Sequence, residues 1–195
     1  MNTTLPPIIF LAFANDRQPN GAYLRNLAEE ARRLQDTLRT AEQAGLCQVV
    51  TQQNVTIDQV FNTFQDARYR NRLGVFHYGG HANGYQLLLE TATGATAPAH
   101  AAGLAAFLAQ QRGLALVFLN GCSTQPQVQG LLDAGISIVI ATAQAIDDAV
   151  ATDFADRFYK ALASGATVQS AFHQATSAGQ TKSGTDLRHL GTHKN

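Results

Sequence analysis

The segment GLALVFLNGCSTQPQVQGLLDAGISIVIATAQ, residues 113–144, decides the fold. It holds two strand-length apolar runs, Leu114–Leu119 and Ile136–Ala141, with a polar turn and the short helix pattern Pro126–Ala134 between them. Its one charge is Asp133, as expected of central strands covered on both faces. A strand, a helix and a second strand in this order make a unit of a parallel sheet.

The same alternation runs outward in both directions. Ile8–Phe13 is a short buried strand pattern, and Tyr23–Ala44 is a helix pattern with Leu24, Leu27, Ala31, Leu34 and Leu38 at three- and four-residue spacing, ended by Gly45. Cys47–Val50 reads as a strand, Thr56–Ala67 as a helix with Thr56 as N-cap, and Leu73–Tyr78 as a third strand. Tyr85–Glu90 is an added strand or hairpin arm, Thr91–Pro98 a loop of small residues, and Ala99–Arg112 a helix closed by Gly113. Two helices, Ala149–Ala163 and Thr167–Ala178, flank Ser164–Gly165. The expected fold is α/β, with a mostly parallel central sheet flanked by helices. Residues 1–180 are expected to form one domain and residues 181–195 a polar tail or linker stub.

Composition narrows the function. The chain has 195 residues, 45% hydrophobic and only 14% charged, which implies a large buried core. The 14 basic and 14 acidic residues cancel, with no basic stripe, so neither a nucleic-acid nor a membrane partner is expected. Met1–Pro7 has no charged segment leading into an apolar stretch, so no signal peptide is expected. No run approaches the roughly 18 apolar residues that span a bilayer. Cys47 and Cys122 do not make a disulfide framework, and the expected compartment is a reducing cytoplasm.

Ligands of an open α/β sheet bind outside the carboxyl ends of the strands. Leu73–Tyr78 delivers His81 to that edge, Leu114–Leu119 delivers Cys122, and Ile136–Ala141 leads to Gln144–Asp148. A thiol and an imidazole at one edge are the elements of nucleophilic catalysis, since the thiolate attacks and histidine takes the proton. Gly79, Gly80 and Gly121 allow close approach of backbone to substrate. Cys47 reads as a small core residue and His77 as a packing or hydrogen-bonding residue within its strand. His100, His173, His189 and His193 read as surface or tail residues. His77 and His81 have the spacing of a zinc pair, with Cys122 as a third ligand, but Gly79 and Gly80 between them keep the pair off a helix face, so no metal or cofactor is expected.

On VFHYGGHANG (Val75–Gly84), LVFLNGCSTQ (Leu116–Gln125) and ISIVIATAQAIDDAVATDFADRFYKALASGATVQSAFHQA (Ile136–Ala175), the chain resembles the CHAT domain family of caspase- and separase-like cysteine peptidases. The resemblance covers roughly Ile8 to Ala178. It implies a three-layer caspase-like sandwich, His81 as general base, Cys122 as nucleophile, and the N–H groups of Ala82 and Cys122 as oxyanion hole. It places Asp148, with Gln144 and Asp147, at a pocket for a basic P1 side chain; the helix-cap role of an Asp-Asp pair stands beside that reading. The chain departs from the family at Ala82, where Gly is usual, at Gly121, where Ala is usual, and at Ser123–Thr124.

The expected function is a His-Cys dyad endopeptidase cutting protein substrates after Arg or Lys, an effector module of a larger bacterial signalling or antiphage defence protein with a fused or associated sensor. The alternative is a degenerate pseudo-protease that binds a partner. The first strand–helix junction, ANDRQPNGAY (Ala14–Tyr23), lacks the glycine patterns of nucleotide binders.

Overall fold

The computed structural model describes residues 5–143, 147–183 and 190–194. In chain order the elements are β1 (Ile8–Ala14), α1 (Leu27–Gln43), β2 (Gln48–Gln53), α2 (Ile57–Gln65), β3 (Leu73–Gly80), β4 (Ala82–Asn83), β5 (Gln86–Glu90), β6 (Thr96–His100), α3 (Ala101–Leu108), β7 (Leu116–Asn120), α4 (Val128–Asp133), β8 (Ile138–Thr142), α5 (Asp148–Ala163), α6 (Val168–Ser183) and β9 (Leu190–Lys194). The main sheet runs β2-β1-β3-β7-β8-β9. Its first five strands are parallel and β9 is antiparallel to β8. A small antiparallel sheet, β4-β5-β6, stands beside it.

Strand alternation divides the core in two. In β1, Ile8, Phe10 and Ala12 pack with α2, α3 and α4, whereas Ile9, Leu11 and Phe13 pack with α1, α5 and α6. The leucine stripe of α1 is buried as its spacing predicts, and Thr56 caps α2 in a capping box with Gln59. The three-layer architecture expected from the sequence is therefore observed. Among the described residues no helix is long and apolar enough to cross a membrane.

Three local differences stand out. α1 begins at Leu27 rather than Tyr23, because Asn15 Oδ1 accepts from the Leu24 N–H and holds the preceding segment in turns. The expected small-residue loop contributes β6, whose pairing with β5 overrides a weak local signal. At the carboxyl end α6 continues to Ser183, and β9 lies in the stretch read as a tail.

Candidate active site

β3 and β7 are adjacent and parallel, with His77 opposite Phe118 and Gly79 opposite Asn120. His81 and Cys122 each follow two residues beyond that last pair, so two neighbouring strands deliver them at the same level. Both are partly buried. The loops that carry them touch. A Cβ at position 121 would lie 2.7 Å from the Gly80 carbonyl oxygen and 2.8 Å from Ala82 Cβ. A Cβ at position 80 would lie 2.5 Å from the Ala14 carbonyl oxygen. Glycine at both positions is thus a condition of this approach.

Hydrogen bonds fix both loops. The His81 carbonyl accepts from the Tyr78 hydroxyl at 2.6 Å and from the Leu88 N–H at 2.9 Å. Burial pushes the Tyr78 phenol far above its ordinary range, so it remains a donor. On the other loop Ser123 takes a left-handed backbone, φ 53°, directly after Cys122. Thr124 is buried, and its Oγ1 donates to the Leu119 carbonyl at 3.2 Å and accepts from the Thr142 N–H at 3.0 Å. Gln127 Nε2 donates to the Asn83 carbonyl at 2.6 Å and joins the two loops.

The His81 ring has a partner that sequence reading did not find. Its Nε2 is hydrogen-bonded to the Ala22 carbonyl oxygen. A carbonyl only accepts, so Nε2 carries the proton and a neutral ring presents a bare Nδ1. The segment bearing Ala22 is itself anchored. Asn15 N–H donates to Glu90 Oε1 at 3.0 Å, and Arg17 pairs with Glu90 at 2.7 Å. A backbone carbonyl has no residue signature, which is why no third member of the site was legible.

The remaining expected residues divide. Ala82 begins β4, and its backbone nitrogen lies 3.6 Å from a Cβ built on Gly121. Asp147 is the N-cap of α5, accepting from the Ala149 and Val150 N–H groups at 2.9 and 3.3 Å. Asp148 is partly buried, and its Oδ2 accepts from the Asn26 N–H at 2.8 Å, tying α5 to the segment that carries Ala22. Gln144 lies outside the described residues. His77 is fully buried with both ring nitrogens engaged, by Glu30 and Tyr159, and is not free to ligate a metal with His81. Cys47 is buried against α1, and burial, helped by Glu42, pushes its thiol up; it is a core residue, as read.

A secreted C11 cysteine protease from Bacteroides thetaiotaomicron, solved with an irreversible peptide inhibitor, matches with a TM-score of 0.68 at 11% identity, over 97% of this chain and 66% of that one. The Drosophila initiator caspase Dronc matches at 0.62 and 10% identity, over 96% and 79%. The Arg-specific cysteine proteinase gingipain R of Porphyromonas gingivalis matches at 0.62 and 11% identity, over 97% and 46%. No curated protein matches the sequence. The fold is that of the caspase-like cysteine peptidases. The chain belongs to the CHAT domain family, whose model matches residues 3–190. It spans just under two thirds of the C11 protease and less than half of gingipain R.

Proposed function

We propose that the domain is an endopeptidase working through a His81–Cys122 dyad and cutting after Arg or Lys. The observation that carries this reading is the Ala22 carbonyl on His81 Nε2, which leaves Nδ1 as the proton acceptor at the level of Cys122. The Cys122 thiol gives its proton to Nδ1 and the thiolate attacks the scissile carbonyl carbon. The N–H groups of Cys122 and Ala82 take the developing oxyanion. Collapse of the tetrahedral adduct breaks the C–N bond, the amine leaves with the proton from His81, and a thioester remains. Water, deprotonated by His81, releases the acid product and restores the thiol. No cofactor enters. Asp148 takes the P1 cation through charge-assisted hydrogen bonds, while Asp147 caps its helix. Gingipain R, described as Arg-specific, shares the fold and is consistent with this preference. The family resemblance extends the reading to a regulated effector of a larger bacterial signalling or antiphage defence protein, with a fused or associated sensor and a cytoplasmic site of action.

The test uses full-length activated protein and peptides with P1 Arg, Lys, Asp or Ala. Hydrolysis after Arg and Lys is expected, abolished in Cys122→Ala and His81→Ala. Asp148→Asn should lower kcat/KM for the basic peptides roughly tenfold or more, the worth of a charge-assisted hydrogen bond. Cleavage that survives Cys122→Ala removes the dyad, and cleavage of P1 Asp alone removes the role of Asp148.

A further inference from the structure

Beneath the dyad lies a buried polar cluster that the chemistry above does not use. Alternate residues of a strand share a face, so the register sets His77 and Asn120 on the same side of β3 and β7, toward α1 and α5. Glu30 reaches them from the first turns of α1. Its Oε1 accepts from Asn120 Nδ2 at 2.7 Å and from His77 Nε2 at 3.0 Å. Tyr159 of α5 meets His77 Nδ1 at 3.3 Å. Glu30 is 2% exposed, Asn120 5%, and His77 and Tyr159 are sealed.

The hydrogen-bond directions form one consistent set. Burial pushes the Tyr159 phenol well above its ordinary range, so it keeps its proton and donates to His77 Nδ1. The ring's own N–H is then on Nε2 and donates to Glu30. Asn120 must turn its amide nitrogen toward the carboxylate. Its Oδ1 has no partner among the described residues, so the orientation of Asn120 rests on Glu30 and on a longer bond to the Ala151 carbonyl at 3.4 Å.

We propose that Glu30 is a positioning residue for the dyad: one carboxylate oxygen clamps the ends of the strands that deliver His81 and Cys122. The proposal rests on the reading of His81 and Cys122 as a dyad, and the test separates the two. A purely structural Glu30 would change stability and leave the chemistry of the thiol alone.

The readout is alkylation of Cys122 by iodoacetamide in the full chain, followed across pH by peptide mapping and needing no substrate. In the native chain Cys122 should react faster below pH 8 than an ordinary thiol, and His81→Ala should abolish that excess. Glu30→Ala should lower the rate at neutral pH at least tenfold while unfolding stays cooperative, and Glu30→Gln, which keeps an acceptor oxygen, should recover most of it. Peptide hydrolysis should fall in kcat with KM within about twofold, the pattern of lost transition-state positioning. If Glu30→Ala does not fold, Asn120→Ala decides, because it keeps the Glu30–His77 pair and frees the cysteine strand; the same fall is expected. An unchanged Cys122 profile in a folded Glu30→Ala or Asn120→Ala chain, with His81→Ala still effective, overturns the positioning role alone. A profile insensitive to His81→Ala overturns the dyad, and the positioning role with it.

Discussion

At position 121 a side chain has nowhere to go. The space its Cβ would fill is bounded by the Gly80 carbonyl and by the methyl of Ala82, 2.7 and 2.8 Å away. Ala82 stands where the family usually has Gly, and Gly121 where it usually has Ala. By the family resemblance the two departures read as one exchange, a methyl moved from the cysteine loop to the histidine loop, since the space at position 121 is the space the Ala82 methyl bounds. Gly121→Ala alone should destabilise by about 1–3 kcal/mol through overpacking. Adding Ala82→Gly should recover part of that loss, giving a coupling of roughly 0.5–3 kcal/mol between contacting residues. Urea unfolding of the two single variants and the double variant measures it; effects that add within about 0.3 kcal/mol would show that the Ala82 methyl is not the occupant. At this scale the convergence of His81 and Cys122 on one edge of the sheet was legible, because each follows an apolar strand with glycines beside it. Glu30 leaves a signal in the sequence, a carboxylate on the buried stripe of Leu27, Ala31 and Leu34. Ala22 left none, since it acts through its backbone.

The start of α5 divides two neighbouring carboxylates between different partners. Asp147 gives its carboxylate to the helix's own N–H groups, whereas Asp148 reaches across to Asn26 before α1. The resemblance pointed to Asp148 for the pocket and the Asp-Asp pattern left the helix-cap role open to the pair; the turn of the helix gives the cap to Asp147. Asp147→Ala removes an N-cap and should cost about 1 kcal/mol, seen as a fall of roughly 2–4 °C in the melting temperature of a domain this size. The alkylation rate of Cys122 should not change, because the cap does not reach the dyad. A slowed thiol with an unaltered melting temperature would assign Asp147 to the site instead. Elements followed the same rule of legibility. Strands with continuous apolar runs and α1 with its leucine stripe were readable from period alone. β6, built from small residues around Pro98, and β9, in a polar stretch, exist through pairing with β5 and β8, and a single-strand pattern carries no record of its partner.

Across the whole molecule, the two faces of the sheet each bury a tyrosine, Tyr78 on the α2–α4 side and Tyr159 on the α1–α5 side. Burial raises both phenols far above the value of about 10 that an unfolded chain shows. The Cys47 thiol is raised in the same way, from an unfolded value of about 8.5. Each group holds its proton in the folded state at a pH where the unfolded chain has released it. The unfolded state then binds fewer protons, and stability falls as pH rises. The decline should begin near pH 8.5 with Cys47 and steepen above about pH 10, where two sealed phenols contribute about 2.7 kcal/mol per pH unit, twice the 1.36 kcal/mol worth of one proton. Urea unfolding between about pH 8 and 11 gives the slope. Tyr78→Phe lowers stability at every pH through the loss of its one O–H donor, which lies within reach of both the His81 and Leu88 carbonyls. Its distinguishing effect is on the slope, which should drop by about 1.4 kcal/mol per pH unit above pH 10 because one titrating proton is gone. A parallel displacement of the curve, with the alkaline slope intact, would mean that Tyr78 ionises alike in both states and is not sealed beneath the histidine loop.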